Sequence, residues 1–169
     1  MPSVPKNLSY PQKKAVKKAV AFPWQEGWHN VELAKDCGLI PFLLYKNHGM
    51  DVTMVGAKLE DYPYAETIVK GLKMEFLESG SLEEKISYIE KNAKDIDLFI
   101  VRGAYDINVL PAISYKQRNP NGKIYVGLDA NSHWMDRIRW DRDIYIKFME
   151  CCDVIATSCR SMQKHLNEK

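Results

Sequence analysis

The sequence predicts an α/β domain built on a parallel sheet with helices on both faces. Three observations carry that expectation. Short apolar runs alternate with stretches of helical periodicity through most of the 169 residues. One run, Leu98-Phe-Ile-Val101, is apolar without interruption, as in a central strand covered on both sides. The breaks carry turn chemistry, most plainly Asn119-Pro120-Asn121-Gly122.

Residues 1–12 hold three of the eight prolines and little pattern, so they read as a flexible N-terminal arm, with the domain over 13–169. A first strand, Ala19-Val-Ala-Phe22, is stopped by Pro23. Helices are expected over about 31–35 and about 40–47, with Pro41 in a first turn and Gly49 ending the second. Asp51–Gly56 is β-branched and reads as a second strand, and Leu72–Leu77 alternates apolar and charged residues, as an edge strand does. Between them, Tyr62-Pro63-Tyr64 reads as loop. Leu82, Ile86, Ile89 and Ala93 recur at helical spacing behind Ser81 and Glu84, a capping-box pair. After Leu98–Val101 come a helix over 106–117, a strand over Lys123–Leu128, a helix over 134–152, a strand over 153–157 and a helix from Ser161. About six strands linked by right-handed crossovers form a Rossmann-like sheet, with strands three, two and one on one side and four to six on the other.

The totals exclude several classes. A net charge of +2, from 24 basic and 22 acidic residues, carries no electrostatic footprint for nucleic acid. No run reaches the ~18 apolar residues of a membrane span, and no apolar signal core follows Met1, so a cytoplasmic location is expected. Cys37, Cys151, Cys152 and Cys159 form no C-x-x-C pair and read as small core residues. The segment after the first strand, Phe22-Pro-Trp-Gln-Glu-Gly-Trp-His, lacks the G-x-G-x-x-G of a dinucleotide fold, and no P-loop, nucleophile elbow or H-E-x-x-H pair occurs. No cofactor and no metal are expected.

In such sheets ligands sit beyond the carboxyl ends of the strands, near the switch point between strands one and four. Four groups of residues fall there. Cys37-Gly38, at the mouth of a helix, offers outward N–H groups to an anion such as a phosphate; the alternative is an ordinary helix entry. Asp129, Asn131 and His133 follow the fifth strand and suit sugar hydroxyls, with Asp129 placed to orient or deprotonate a nucleophilic one; the alternative is helix capping with a surface His133. Trp24, Trp28 and His29 offer ring faces and polar groups to a sugar; the alternative has both tryptophans packed on the core. Arg102 and Tyr105 bring a fixed positive charge and a phenol, although Arg102 equally suits a structural carboxylate pair. Lys13, Lys14, Lys17 and Lys18 suit either an anionic lipid surface or a solvated lead-in to the first strand.

Val31–Gly56, with its glycine, helix and Gly49-Met-Asp-Val-Thr strand, resembles the opening of bacterial glycosyltransferases of the GT-B fold, family four. Lys123–Asp129 looks like their fifth strand, and Cys152-Asp-Val-Ile-Ala-Thr-Ser158 like their last N-terminal strand. The resemblance runs from about residue 17 to the end. It implies one half of a GT-B fold, the acceptor side of an enzyme moving a sugar from a nucleotide-activated donor to an acceptor hydroxyl, with retention and without metal. The acceptor would be a carbohydrate, lipid-linked or protein hydroxyl, with peripheral contact to the inner face of the membrane. Cys37 and Gly38 would approach the donor phosphates, and Asp129 falls where many members carry a histidine that contacts the donor sugar. The resemblance also implies a C-terminal donor domain that does not occur in these residues. The chain alone is therefore expected to be inactive, and to self-associate through uncovered cleft-side loops bearing Trp24 and Trp28. The alternative is a stand-alone Rossmann- or flavodoxin-like binding module without catalysis.

Overall fold

The computed structural model describes residues 18–128 and 142–157, together with Arg160, Gln163 and Lys164. The strands are β1 (Lys18–Phe22), β2 (Gly27–Trp28), β3 (Asp51–Lys58), β4 (Lys73–Leu77), β5 (Leu98–Arg102), β6 (Lys123–Leu128) and β7 (Val154–Thr157). The helices are α1 (Asn30–Leu33), α2 (Asp36–His48), α3 (Pro63–Thr67), α4 (Leu82–Asn92), α5 (Asp106–Arg118) and α6 (Arg142–Cys151).

All pairings are parallel, in the order β4-β3-β1-β5-β6-β7, with the two residues of β2 continuing beside β3 past the end of β1. That is the predicted order, with one short strand added. The switch point lies between β1 and β5, where Phe22 is level with Val101.

Alternation along each strand sorts the core onto two faces. Val20, Phe22, Phe99 and Val101 pack with Ile89 of α4, Val109 and Tyr115 of α5 and Phe148 of α6. Ala19, Ala21, Met54 and Ile100 face the other way, onto Leu33 of α1 and Cys37, Phe42 and Leu44 of α2. The small β1 residues on this second face let α2 lie close to the sheet.

Several elements depart from expectation. The loop around Tyr62-Pro63-Tyr64 contains α3, with Pro63 opening it and Tyr62 anchoring it through a hydroxyl that donates to the Trp28 carbonyl at 2.9 Å. Ser81 caps α4 by accepting from the Glu84 N–H at 3.3 Å, but Glu84 does not return to Ser81. Its carboxylate instead accepts from the Ser79 and Gly80 N–H groups at 2.9 and 2.7 Å and from the Ser79 hydroxyl at 2.7 Å. Those hydrogen bonds, the Ser79 hydroxyl first, hold Glu84 below its ordinary range. Lys18 belongs to β1 rather than to a lead-in. The helix expected over 134–152 is described from Arg142.

Candidate functional site

The site grows from the ends of β1, β5 and β6. Pro23 ends β1, and the chain then turns down onto β3 instead of rising as a lid. The Glu26 backbone carbonyl accepts from the Ala57 N–H at 2.9 Å, and Gly27 and Gly56 lie too close to their neighbours' backbones to admit a side chain freely. This docking makes β2 and draws Trp28 into the core, where it is 1% exposed. Trp28 therefore presents no ring face to a sugar, and of the two tryptophans expected at the surface only Trp24 is there, 38% exposed. The Trp24 ring meets Tyr105 edge to face at 5.9 Å between centroids.

Helix α2 begins at Asp36, four residues before the expected start, so Cys37 and Gly38 are its second and third residues rather than a loop before it. Gly38 is buried because the first turn of α2 presses on the backbone of Leu33; any side chain there would collide. Gly38 is needed for packing of α2 on α1. Pro41 is the sixth helical residue, not one of the first turn, and has no N–H to give to the carbonyl of Cys37 four residues back.

Arg102, at the end of β5, reaches across the switch point and ion-pairs with Asp36. Asp36 also accepts from the Cys37 N–H at 3.0 Å. Beneath this pair lies a cavity of about 20 Å³ whose walls include Ala21, Trp28, Cys37, Ile100, Arg102 and Gly127. That volume holds about one water. Anything larger than a water could occupy it only if the Asp36–Arg102 pair parted. The Cys37 thiol is pushed up to about 11 by burial, with Arg102 acting against the rise, and donates to the Glu32 carbonyl at 3.2 Å. It is no thiolate nucleophile near neutral pH.

The structure thus brings Cys37, Trp28 and Arg102 to one cavity, with Trp24 and Tyr105 paired at the same sheet edge. His29 does not line that cavity. It opens α1, with its N–H donating to Glu32 at 2.8 Å and its ring 3.6 Å from Glu60. Asp129, Asn131 and His133 lie outside the described residues. Among the described residues no cluster of three or more His, Cys, Asp or Glu could hold a metal.

Three polar residues at this edge were not singled out from the sequence. Asp36 is the first residue of α2, immediately before Cys37-Gly38. Asn108, in the first turn of α5, is wholly buried and donates to the carbonyls of Pro23 at 3.0 Å and Arg102 at 2.7 Å, tying the ends of β1 and β5 together. Lys85 of α4 is also wholly buried and donates to the Gln25 carbonyl. A signal for Asp36 was present: α2 and α5 share Asp at their first position, Pro at the sixth, and Tyr-Lys at the tenth and eleventh. Aligned in this way, Asp36 and Asp106 open the two helices that follow the switch-point strands.

Neither protein-family models nor curated protein sequences match the chain. Solved structures share its fold at low identity. A UDP-N-acetylglucosamine 2-epimerase from Listeria monocytogenes, itself named putative, is 12% identical with a TM-score of 0.59, over 92% of this chain and 43% of that one. The N-terminal domain of Candida albicans trehalose-6-phosphate phosphatase is 11% identical with a TM-score of 0.57, over 95% and 44%. An α-glucosyltransferase, solved with UDP and a 13-mer DNA, is 14% identical with a TM-score of 0.51, over 85% and 38%. The chain spans about two fifths of the length of these three proteins. Its fold is the Rossmann-like, GT-B-type domain that they contain.

Proposed function

We propose that the chain is the acceptor-side half of a GT-B glycosyltransferase, moving a sugar from a nucleotide-activated donor to an acceptor hydroxyl. The observation that carries this reading is the coincidence of two things: a fold shared with enzymes of UDP-sugars, and the Asp36–Arg102 pair at the switch point where ligands of such sheets bind. In this reading a donor phosphate takes the place of the Asp36 carboxylate on Arg102, which then supplies a fixed positive charge to it. Trp24 and Tyr105 offer ring edges and faces to the acceptor sugar, joined by His29, Asn131 and His133, while Asp129 orients the attacking hydroxyl or takes its proton. Trp28 supports them from below as part of the core. Retention and metal independence follow from the resemblance to family four, as do a location in the cytoplasm and contact with the inner membrane face. No helix among the described residues is long and apolar enough to cross a membrane.

The donor belongs mainly to a second domain, so this chain alone binds nucleotide sugars weakly and does not turn them over. Calorimetry with a nucleotide-sugar panel tests this, and submicromolar binding would contradict the division of labour. In an enzyme with both domains, Asp129→Ala lowers turnover with the fold retained; unchanged kinetics would reduce Asp129 to a turn former. The exposed Trp24 and neighbouring cleft loops would also make the isolated chain self-associate, seen as scattering that rises with concentration.

The smallness of the cavity favours one second reading, a self-sufficient module that binds a small ligand without chemistry. Tight binding of one compound by the isolated chain, with no transfer on adding a donor domain, would select it.

A further inference from the structure

Lys85 stands on the apolar stripe of α4, three residues after Leu82 and four before Ile89, and its whole side chain is buried. Its Nζ lies 5.5 Å from the centre of the Phe22 ring and donates to the carbonyl of Gln25 in the loop above. That loop carries Trp24, which meets Tyr105 at the ligand edge. No carboxylate lies within ion-pair distance of Lys85 among the described residues, which is an unusual setting for a wholly buried charge.

We propose that Lys85 is a protonation-dependent latch for the loop between β1 and β2: neutral, it stays under Gln25 and keeps Trp24 seated; charged, it draws in water and lifts the loop. The physical basis is the asymmetry of burial. A neutral amine can remain against Phe22 while donating once, whereas an ammonium with three donors needs more acceptors than the Gln25 carbonyl supplies. Lifting the Trp24–Gln25 stretch is the shortest route to water, because the next residue, Glu26, is already clamped to Ala57. Burial brings the seated Lys85 amine down to about 7, with Glu26 acting against the fall, so the latch releases between that value and the 10.5 of an ordinary lysine. The other charged groups nearby are engaged elsewhere. Glu75 of β4 accepts from Tyr88 at 3.1 Å, and Glu84 is held by the Ser79–Gly80 turn. The latch does not depend on the sugar-transfer reading.

The test follows the amide signals of Trp24, Gln25 and Glu26 by NMR in the full chain as pH is raised. The expected result is a concerted shift with a midpoint between about 7 and the ordinary lysine value of 10.5, abolished in Lys85→Met. Glu26→Gln, which leaves Lys85 in place, should lower the midpoint because an attraction for the ammonium is lost. This second variant decides the matter should Lys85→Met fail to fold. Absence of a transition in the wild type, its survival in Lys85→Met, or an unmoved midpoint in Glu26→Gln would each overturn the latch.

Discussion

At the N-terminal edge of the sheet, polar side chains close on one another. Asp153 accepts from Lys116 at 2.9 Å, Lys123 at 2.7 Å and the Ile124 N–H at 3.0 Å. Asp97 receives the Lys18 N–H at 3.0 Å, the buried Tyr115 hydroxyl donates to the Ile96 carbonyl at 2.8 Å, and Asn119 donates to both Ala93 and Ile96. At the C-terminal edge the same kinds of atoms are left wanting. The indole N–H of Trp28 and the amide oxygen of Asn108 are buried without a partner among the described residues, and Lys85 is buried without a carboxylate. An unsatisfied buried group costs about 1–3 kcal/mol. The difference teaches where the fold invests in stability and where it tolerates cost, and the tolerated cost lies at the edge where ligands of this fold bind.

The comparison can be broken from either side. The largest loss of stability should come from the closed edge. Asp153→Ala leaves two lysines and one N–H without their shared acceptor and should cost about 2 kcal/mol in urea unfolding. A loss no larger than that of an exposed surface change would show that the cluster is ornamental. The sign with pH is fixed by the geometry. Burial raises Asp153, but the hydrogen bonds from Lys123, the Ile124 N–H and Lys116 outweigh it and hold the carboxylate below 3.8. Its contribution is therefore fully present above the unfolded value and lost as pH falls through 3.8 toward the folded one.

A change of opposite sign is expected at the open edge. Lys85→Met should stabilise the fold at pH 6 by roughly 1–4 kcal/mol, as hydrophobic replacement of buried charge often does. The amine falls from 10.5 unfolded to about 7 under the seated loop, so well below 7 both states are protonated and the native state carries there the cost of lifting the loop to hydrate the ammonium. As pH rises through 7 toward 10.5 the unfolded chain binds the extra proton, wild-type stability climbs, and the advantage of Met shrinks. A Lys85→Met variant less stable than wild type at every pH would place Lys85 among the ordinary structural contacts.

The smallest effect on stability should be that of Arg102→Ala. Its partner Asp36 is half exposed, with 53% of its side chain in solvent, so the abandoned carboxylate rehydrates and the cost stays below about 1 kcal/mol. Activity in a two-domain enzyme should fall far more than stability does. Equal losses of both would make the Arg102 pair a structural clip.

The same contrast marks what the sequence disclosed. The strand order was legible because apolar runs such as Leu98–Val101 mark the strands locally and right-handed crossovers then order them. The start of α2 was not, because Gly38 reads as a loop residue until the backbone of Leu33 is seen against it. Trp28 was misplaced for a similar reason: its burial depends on β2 docking beside β3, a contact between Gly27 and Ala57 thirty residues apart in the chain. Lys85 hid among Glu83 and Glu84, although its spacing from Leu82 and Ile89 puts it on the apolar stripe. The place of Arg102 at the end of a central strand was legible; its partner Asp36 and the tie made by Asn108 emerged only with the fold.

Ligands are expected to meet the C-terminal edge at the switch point. Amide NMR of the isolated chain titrated with UDP, UDP-glucose and UDP-N-acetylglucosamine, to concentrations that saturate weak binding, tests it. The predicted result is weak, saturable shifts confined to the ends of β1, β5 and β6 and the first turn of α2, at Trp24, Cys37, Arg102, Tyr105 and Gly127. Shifts centred on Lys116, Lys123 and Asp153, or none at the switch point at saturating ligand, would contradict it.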